Sequence, residues 1–182
     1  MKLISLIDSS VDQWFVASRM DWLTTFMFYF TKLAEAQVVA VLALASLLYF
    51  LWKKEKSMAW ALFISVLGSA GTVLIMKHLI ARPRPLYGVY AESLYSFPSA
   101  HAALAISFYG LFFYFLINQA RKTYRVWLYI LSAISIFLIG VSRLYLGVHY
   151  LSDVLVGHAV GVVWMVIAIW IEKRLNKKNP LS

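Results

Sequence analysis

The 182-residue sequence contains no cysteine, and only 14% of its residues are charged. Without cysteine the chain can form no disulfide bond, no thiolate metal site and no cysteine nucleophile. Soluble domains carry about a quarter charged residues, so a low charge content beside a hydrophobic fraction of 62% indicates a membrane protein. Acidic residues are also scarce, 8 against 17 basic ones. In a membrane protein this excess is typical of cytoplasmic loops and of contacts with anionic lipids, not of nucleic-acid binding.

Five apolar segments are long enough to cross a bilayer, which takes about 20 helical residues. We predict spans at residues 33–52, 58–76, 98–117, 124–141 and 150–171. The predicted fold is therefore all-α, a polytopic membrane helix bundle. The chain length suits one domain, with the bundle at 33–171 and a cytoplasmic tail at 172–182.

The N-terminal residues 1–32 are apolar and aromatic but contain no uninterrupted span. Aromatic side chains favour the headgroup level of a membrane, so we predict an interfacial amphipathic helix here. The alternative is a sixth span over about residues 14–30, which would have to include Arg19 and Asp21.

The loop charges predict the orientation of the bundle. With five spans, one side carries ten basic residues: Lys53, Lys54, Lys56, Arg121, Lys122, Arg125, Lys173, Arg174, Lys177 and Lys178. Cytoplasmic loops are enriched in lysine and arginine. We therefore expect a multi-pass protein of the cell (inner) membrane whose 77–97 and 142–149 loops lie on the periplasmic or extracytoplasmic side.

The basic residues on that outer side are grouped. Lys77 and Arg84 are seven positions apart, and Pro83 and Pro85 end the helix and stiffen the loop. Arginine offers a planar donor fork that fits phosphate, and lysine adds a mobile point charge. Alone, such a pair is also explained by contact with lipid headgroups.

Two further polar clusters follow. Ser99 and His101 lie at the predicted start of the third span, where free backbone N–H groups favour an anion. Alone, they also fit a helix cap and an interfacial histidine. Arg143 precedes His149 and Asp153, which share a face if the chain is helical there. A carboxylate bonded to one imidazole nitrogen leaves the other free to attack.

Alternating spans put all three clusters on one membrane face. Their convergence there predicts a phosphate cradle with a nucleophile and an acid, which none of the clusters indicates alone. His78 and His158 fall outside this pattern, and we interpret both as structural.

These residues resemble the signature of the type 2 phosphatidic acid phosphatase superfamily, which also includes vanadium-dependent haloperoxidases. Its first part, a lysine followed after six residues by Arg-Pro, matches Lys77 and Arg84-Pro85. Its second, Pro-Ser-Gly-His, matches residues 98–101 except that Ala100 replaces the glycine. Its third, Ser-Arg, five residues, His, three residues, Asp, matches residues 142–153. Within this superfamily, the sequence resembles the membrane lipid phosphatases, a branch that includes undecaprenyl-diphosphatase and phosphatidylglycerophosphatase enzymes, because the chain has several predicted membrane spans.

The resemblance implies a role for each matching residue. His149 would attack phosphorus and become phosphorylated, Asp153 would orient it, and His101 would be the acid and then the base. The phosphoryl oxygens would be held by a separate set: Lys77, Arg84, Ser99 and Arg143. Ala100 and Ser142 would at most support that site. The family needs no metal, and we expect no cofactor.

The expected substrate is a lipid phosphate or diphosphate, because a soluble substrate would not need a site at the bilayer rim. Undecaprenyl diphosphate suits an outward-facing site, while phosphatidylglycerophosphate, phosphatidic acid and a lipid A phosphate stay open. The expected partners are this substrate and membrane lipids; we infer no nucleic acid and no obligate protein partner. The alternatives are an anionic-lipid transporter or flippase without hydrolysis, and a structural or partner-binding membrane protein.

Overall fold

The computed structural model describes residues 2–178, and this part of the chain is helical without strands. The helices are α1 Lys2–Ala17, α2 Asp21–Thr31, α3 Ala36–Trp52, α4 Lys56–Ile80, α5 Ala100–Leu104, α6 Leu111–Gln119, α7 Lys122–Tyr145 and α8 Leu151–Lys178. A 3-10 turn, Lys32–Ala34, joins α2 to α3, and a π-helical turn, Ala105–Gly110, joins α5 to α6. The predicted all-α membrane bundle is confirmed. The last four residues of the expected tail lie outside the described range.

Four helices are long and apolar enough to span a membrane: Lys56–Ile80, Ala100–Gln119, Lys122–Tyr145 and Leu151–Lys177. A fifth span is formed if α2 with its 3-10 turn and α3 count as one element, bent by 45°. The 17 residues of α3 cover about 25 Å at 1.5 Å per residue. That is somewhat less than a hydrocarbon core of about 30 Å, so α3 alone is a short span.

The N-terminal region forms two helices separated by non-helical residues 18–20. The alternative span over 14–30 is therefore not one helix. The predicted interfacial helix is also more than a surface element, because α1 packs against α7 and α8. Its apolar side chains Leu3, Leu6 and Trp14 are exposed, whereas Asp8 is buried.

The boundary of the fourth span differs from the predicted one. Helix α7 continues to Tyr145, so Ser142 and Arg143 lie in its last turn and not in a loop. Both side chains are fully buried. In the sequence, the polar pair Ser142 and Arg143 follows an apolar run, and this pattern predicted that the helix ends before it. The helix continues because tertiary partners bind both terminal nitrogen atoms of the Arg143 guanidinium.

Helices α5 and α8 pack with their backbones in close contact. A Cβ atom on Gly157 would lie 2.5 Å from the carbonyl oxygen of Ser99, and one on Gly161 would lie 2.5 Å from that of Ala103. Small residues at such positions let membrane helices approach closely. The Ser99 N–H also donates to the Asp153 carbonyl oxygen at 3.0 Å. This packing fixes the start of α5 beside the start of α8.

We predict that Gly161→Val lowers the thermal unfolding temperature in detergent and impairs activity. The added atoms would overlap the α5 backbone, and overpacking of this kind costs about 1–3 kcal/mol. Gly71→Val is the matched control, since a Cβ at Gly71 meets nothing within 4 Å. Equal unfolding temperatures for the two variants would contradict this account of the α5–α8 contact.

Candidate active site

The three polar clusters meet at one end of the bundle. Lys77 lies in the last turn of α4 and His101 in the first turn of α5. Arg143 lies in the last turn of α7, and His149 follows in the short connection to α8. A cavity of about 610 Å³ is lined by Lys77, Arg84, His101 and His149 together with residues from α2, the 3-10 turn and the start of α3. The topology therefore brings Lys77, Arg84, His101 and His149 together at the cavity, whereas Arg143 and Asp153 are buried behind its lining residues.

His149 precedes α8, so the expected helical spacing to Asp153 does not apply. Even so, its Nδ1 atom lies 3.5 Å from Asp153 Oδ2. Its Nε2 atom lies 3.2 Å from Arg84 Nη1. A guanidinium can only donate, so Nε2 accepts and the imidazole proton is on Nδ1, which lies near the carboxylate but has no hydrogen-bond partner in the described part of the chain. Burial, with the nearby charges of Arg143 and Arg84, lowers the pKa of His149 well below its ordinary value, which keeps the ring neutral.

The Asp153 carboxylate is fully buried and held on both oxygens. Oδ1 accepts from Arg82 Nη1 at 2.7 Å, and Oδ2 accepts from the backbone N–H of Tyr150 at 2.9 Å. The orientation of Asp153 toward His149 is thus fixed by groups that the sequence motif does not contain. Arg82 was not among the predicted site residues, because the six residues between Lys77 and Arg84 count only as spacing in the signature.

The three cations of the predicted cradle are held by oxygen atoms of the protein. Lys77 Nζ donates to the Tyr95 carbonyl oxygen, and Arg84 Nε donates to that of Leu94 at 2.7 Å. Arg143 is fully buried, and its Nη1 donates to Tyr90 Oη at 2.7 Å. A second contact joins Arg143 Nη1 to Thr31 Oγ1 of α2 at 3.0 Å.

Glu92 lies between two of these cations. One carboxylate oxygen, Oε2, is 2.7 Å from Arg84 Nη2, and the other forms an ion pair with Arg143. Burial alone would raise the pKa of Glu92, but Arg143 and Arg84 outweigh it and hold the pKa below its ordinary value. An ionised carboxylate therefore lies between the two guanidinium groups of the predicted phosphate cradle. Glu92 was missed, although it is the one acidic residue in the 77–97 loop.

The remaining predicted residues contribute less directly. Ser99 is the N-cap of α5, where its Oγ accepts from the Ala102 N–H at 3.4 Å, and Ser142 Oγ donates to the Ile139 carbonyl oxygen at 2.7 Å. Neither serine is among the residues that line the cavity, whereas Ala100 is. Ala100 is a helical residue of α5, so its methyl group imposes no backbone strain where the related signature has glycine.

The two histidines interpreted as structural lie outside the cavity. His78 Nδ1 is 2.8 Å from the Leu74 carbonyl oxygen within α4. His158 lies in α8 against Gly140 of α7.

A model of the PAP2 superfamily matches residues 58–177, the segment that contains all three clusters. The chain belongs to the PAP2 superfamily. Phosphatidylglycerophosphatase B of Bacillus subtilis is 27% identical over 177 residues, covering 93% of this chain and 85% of that protein. Dolichyldiphosphatase 1 of Mus musculus is 32% identical over 123 residues, covering 57% of this chain and 52% of that protein.

The PAP2 fold extends beyond the matched segment. The crystal structure of the transmembrane PAP2-type phosphatidylglycerolphosphate phosphatase from Bacillus subtilis superposes with a TM-score of 0.87 at 25% identity. The match covers 96% of this chain and 88% of that one. The N-terminal helices therefore belong to the shared architecture.

We predict that Glu92→Gln strengthens binding of vanadate or inorganic phosphate by about 3- to 10-fold, equivalent to about 1 kcal/mol. Glutamine keeps the shape of the side chain but removes the charge that competes for Arg84 and Arg143. The inhibition constant of each anion is the measurement.

The matched control is Glu35→Gln, an identical change in the same cavity at a residue outside this ion-pair cluster. Unchanged or weaker anion binding by the Glu92 variant would show that Glu92 does not compete with the anion.

Proposed function

We propose that the protein is a membrane lipid phosphatase that hydrolyses a lipid phosphate or diphosphate through a phosphohistidine on His149. The observation that carries this proposal is the state of that side chain: neutral, backed by Asp153 at Nδ1, with Nε2 directed at Arg84. A transporter that only binds anionic lipids would need the cations but not an imidazole oriented in this way. The phosphatase names of the relatives support the same choice.

In the proposed first step, Nε2 of His149 attacks phosphorus while the bond from phosphorus to the leaving lipid oxygen breaks. His101 donates a proton to that oxygen. Asp153, whose Oδ2 atom lies 3.5 Å from Nδ1, stabilises the positive charge that develops on the ring. Arg84, Arg143 and Lys77 stabilise the phosphoryl oxygens, once the phosphoryl group has replaced Glu92.

In the second step, water attacks the phosphohistidine and the P–N bond breaks. His101, now neutral, takes a proton from the water, and His149 returns to its starting state. The three cations supply the positive charge that a metal ion brings in other phosphatases. We therefore propose that the reaction needs no metal and continues in excess EDTA.

The proposed substrates all present a phosphoryl group to the end of the bundle and an acyl or prenyl chain to the bilayer. Undecaprenyl diphosphate and phosphatidylglycerophosphate are the first two to test. The extensive match to phosphatidylglycerophosphatase B supports the second. The shorter match to dolichyldiphosphatase 1 supports a polyprenyl diphosphate such as the first.

We predict that His149→Ala abolishes phosphate release from a panel of lipid phosphates assayed in detergent with excess EDTA. His101→Ala should lose about 10²- to 10⁴-fold on lipid alcohols but much less on substrates with a good leaving group. On the latter it should accumulate an acid-labile phosphoenzyme, because the base for the second step is missing.

His78→Ala is the matched control, an exposed histidine next to Lys77, and it should retain activity. Turnover by purified His149→Ala near the wild-type rate would eliminate the mechanism. Equal losses on all leaving groups would assign His101 another role, and loss of wild-type activity in EDTA that a divalent ion restores would refute metal independence.

We further propose that this end of the bundle faces away from the cytoplasm, as the ten basic residues on the opposite side suggest. The cysteine-free chain allows single cysteines to be introduced without background labelling. Leu86 is 90% exposed in the loop after α4, and Thr123 is exposed at the other end of the bundle.

An impermeant maleimide should label Leu86→Cys in intact cells, and Thr123→Cys only after the membrane is opened. Both proteins should be labelled equally once solubilised in detergent. The reverse pattern would put the site in the cytoplasm and exclude substrates held in the outer leaflet.

A further inference from the structure

The N-terminal helix contributes a buried carboxylate to the back of the site. Asp8 is the one buried residue of α1, with 2% of its surface exposed. Its Oδ2 accepts from Arg82 Nη2 at 2.8 Å and from Ser152 Oγ at 2.6 Å. Its Oδ1 accepts from the Ser152 backbone N–H at 2.9 Å. The interfacial helix is thereby tied to the first turn of α8, one residue before Asp153.

Arg82 bridges this carboxylate to the one behind the histidine. Its Nη2 binds Asp8, while its Nη1 lies 2.7 Å from Asp153 Oδ1 and 2.7 Å from Ser152 Oγ. Its guanidinium carbon lies 4.2 Å from the centre of the Tyr150 ring. The fork geometry of arginine lets one side chain hold two carboxylates in fixed directions.

We propose that Asp8 and Arg82 are positioning residues for the reaction, which act through Asp153 on His149. This inference rests on the proposed phosphohistidine mechanism. The four groups form a continuous series, from Asp8 through Arg82 and Asp153 to the imidazole of His149.

The physical reason is the burial of Asp153. A fully buried carboxylate stays ionised only with a charged or hydrogen-bonding partner. Arg82 binds Oδ1, which leaves Oδ2 directed at His149 Nδ1. If Arg82 were displaced, Asp153 would lose its guanidinium partner, and rotation or protonation of Asp153 would remove the negative charge that lies 3.5 Å from His149 Nδ1.

Asp8 in turn determines where Arg82 points. The Arg82 side chain is 24% exposed, so it can turn toward solvent unless something holds it. Asp8 and Ser152 hold one end of the fork, and the other end is then directed at Asp153. A merely structural role for Asp8 would anchor α1 without affecting the histidine, and the experiment separates these two roles.

The test uses Asp8→Asn and its matched control Asp12→Asn. Asp12 lies one turn further along the same helix, and its Oδ1 has no hydrogen-bond partner within the described part of the chain. Asp8→Asn should lower kcat by about 10- to 100-fold, by analogy with the outer partners of metal-binding imidazoles, with KM changed less than about twofold. Asp12→Asn should leave both constants near wild type, and Asp8→Glu should recover part of kcat.

The ring nitrogens of His149 provide a readout that does not depend on turnover. In protein labelled with ¹⁵N-histidine, the His149 signals are those absent from His149→Ala. Wild type and Asp12→Asn should show Nδ1–H with an unprotonated Nε2, whereas Asp8→Asn should show a mixture of tautomers. Unchanged His149 signals together with wild-type kcat in Asp8→Asn would overturn the inference, as would equal losses in the two asparagine variants.

Arg82→Lys is the second variant, and it tests the proposed positioning role even if Asp8→Asn does not fold. A lysine can reach one carboxylate but cannot bridge two in fixed directions, so kcat and the His149 tautomer should change as in Asp8→Asn. Wild-type values for Arg82→Lys would contradict the inference. Failure of the proposed function is distinguishable, because wild type would then form no phosphoenzyme at all.

Discussion

Buried positive charge at one end of an apolar bundle is the constraint on which the structure depends. Lys77 and Arg143 are almost entirely removed from solvent, and a buried cation is tolerated only with oxygen partners close by. Those partners are the Tyr95 carbonyl oxygen, the hydroxyl groups of Tyr90 and Thr31, and the Glu92 carboxylate. The loop is therefore held over the cavity by the same cations that would bind a phosphoryl group.

The same constraint divides the charges into two groups around His149. On the cavity side, Glu92 balances two guanidinium groups, and in the proposed mechanism a phosphoryl group replaces it. On the opposite side, Asp8 and Asp153 balance Arg82 and are nearly or fully buried. The imidazole therefore lies between ion pairs that the proposed reaction would open and ion pairs that it would leave intact, which would keep the ring in one orientation throughout.

Helix packing holds the residues around His149 in place. The close contact between α5 and α8, which requires glycine at positions 157 and 161, keeps the Ser99 N–H on the Asp153 carbonyl oxygen. His101 and Asp153 are thus attached to two helices whose relative position cannot vary much. Precise positioning of reacting groups accounts for a large share of rate enhancement in many enzymes. In the proposed mechanism, the spacing between the acid and the residue that orients the nucleophile would depend on this backbone contact.

The helical class, the five main apolar segments and the three motif clusters could be predicted from the sequence, because hydrophobic length and residue spacing are local properties. The pairing of the buried charges could not, because it depends on contacts between residues far apart in the chain. Asp8 and Ser152 are 144 positions apart, and Glu92 and Arg143 are 51 apart. No local pattern encodes such contacts. For the same reason the predicted fourth span ended too early, at residue 141. Helix α7 continues through Ser142 and Arg143 to Tyr145 because distant residues supply the partners that the buried Arg143 guanidinium requires.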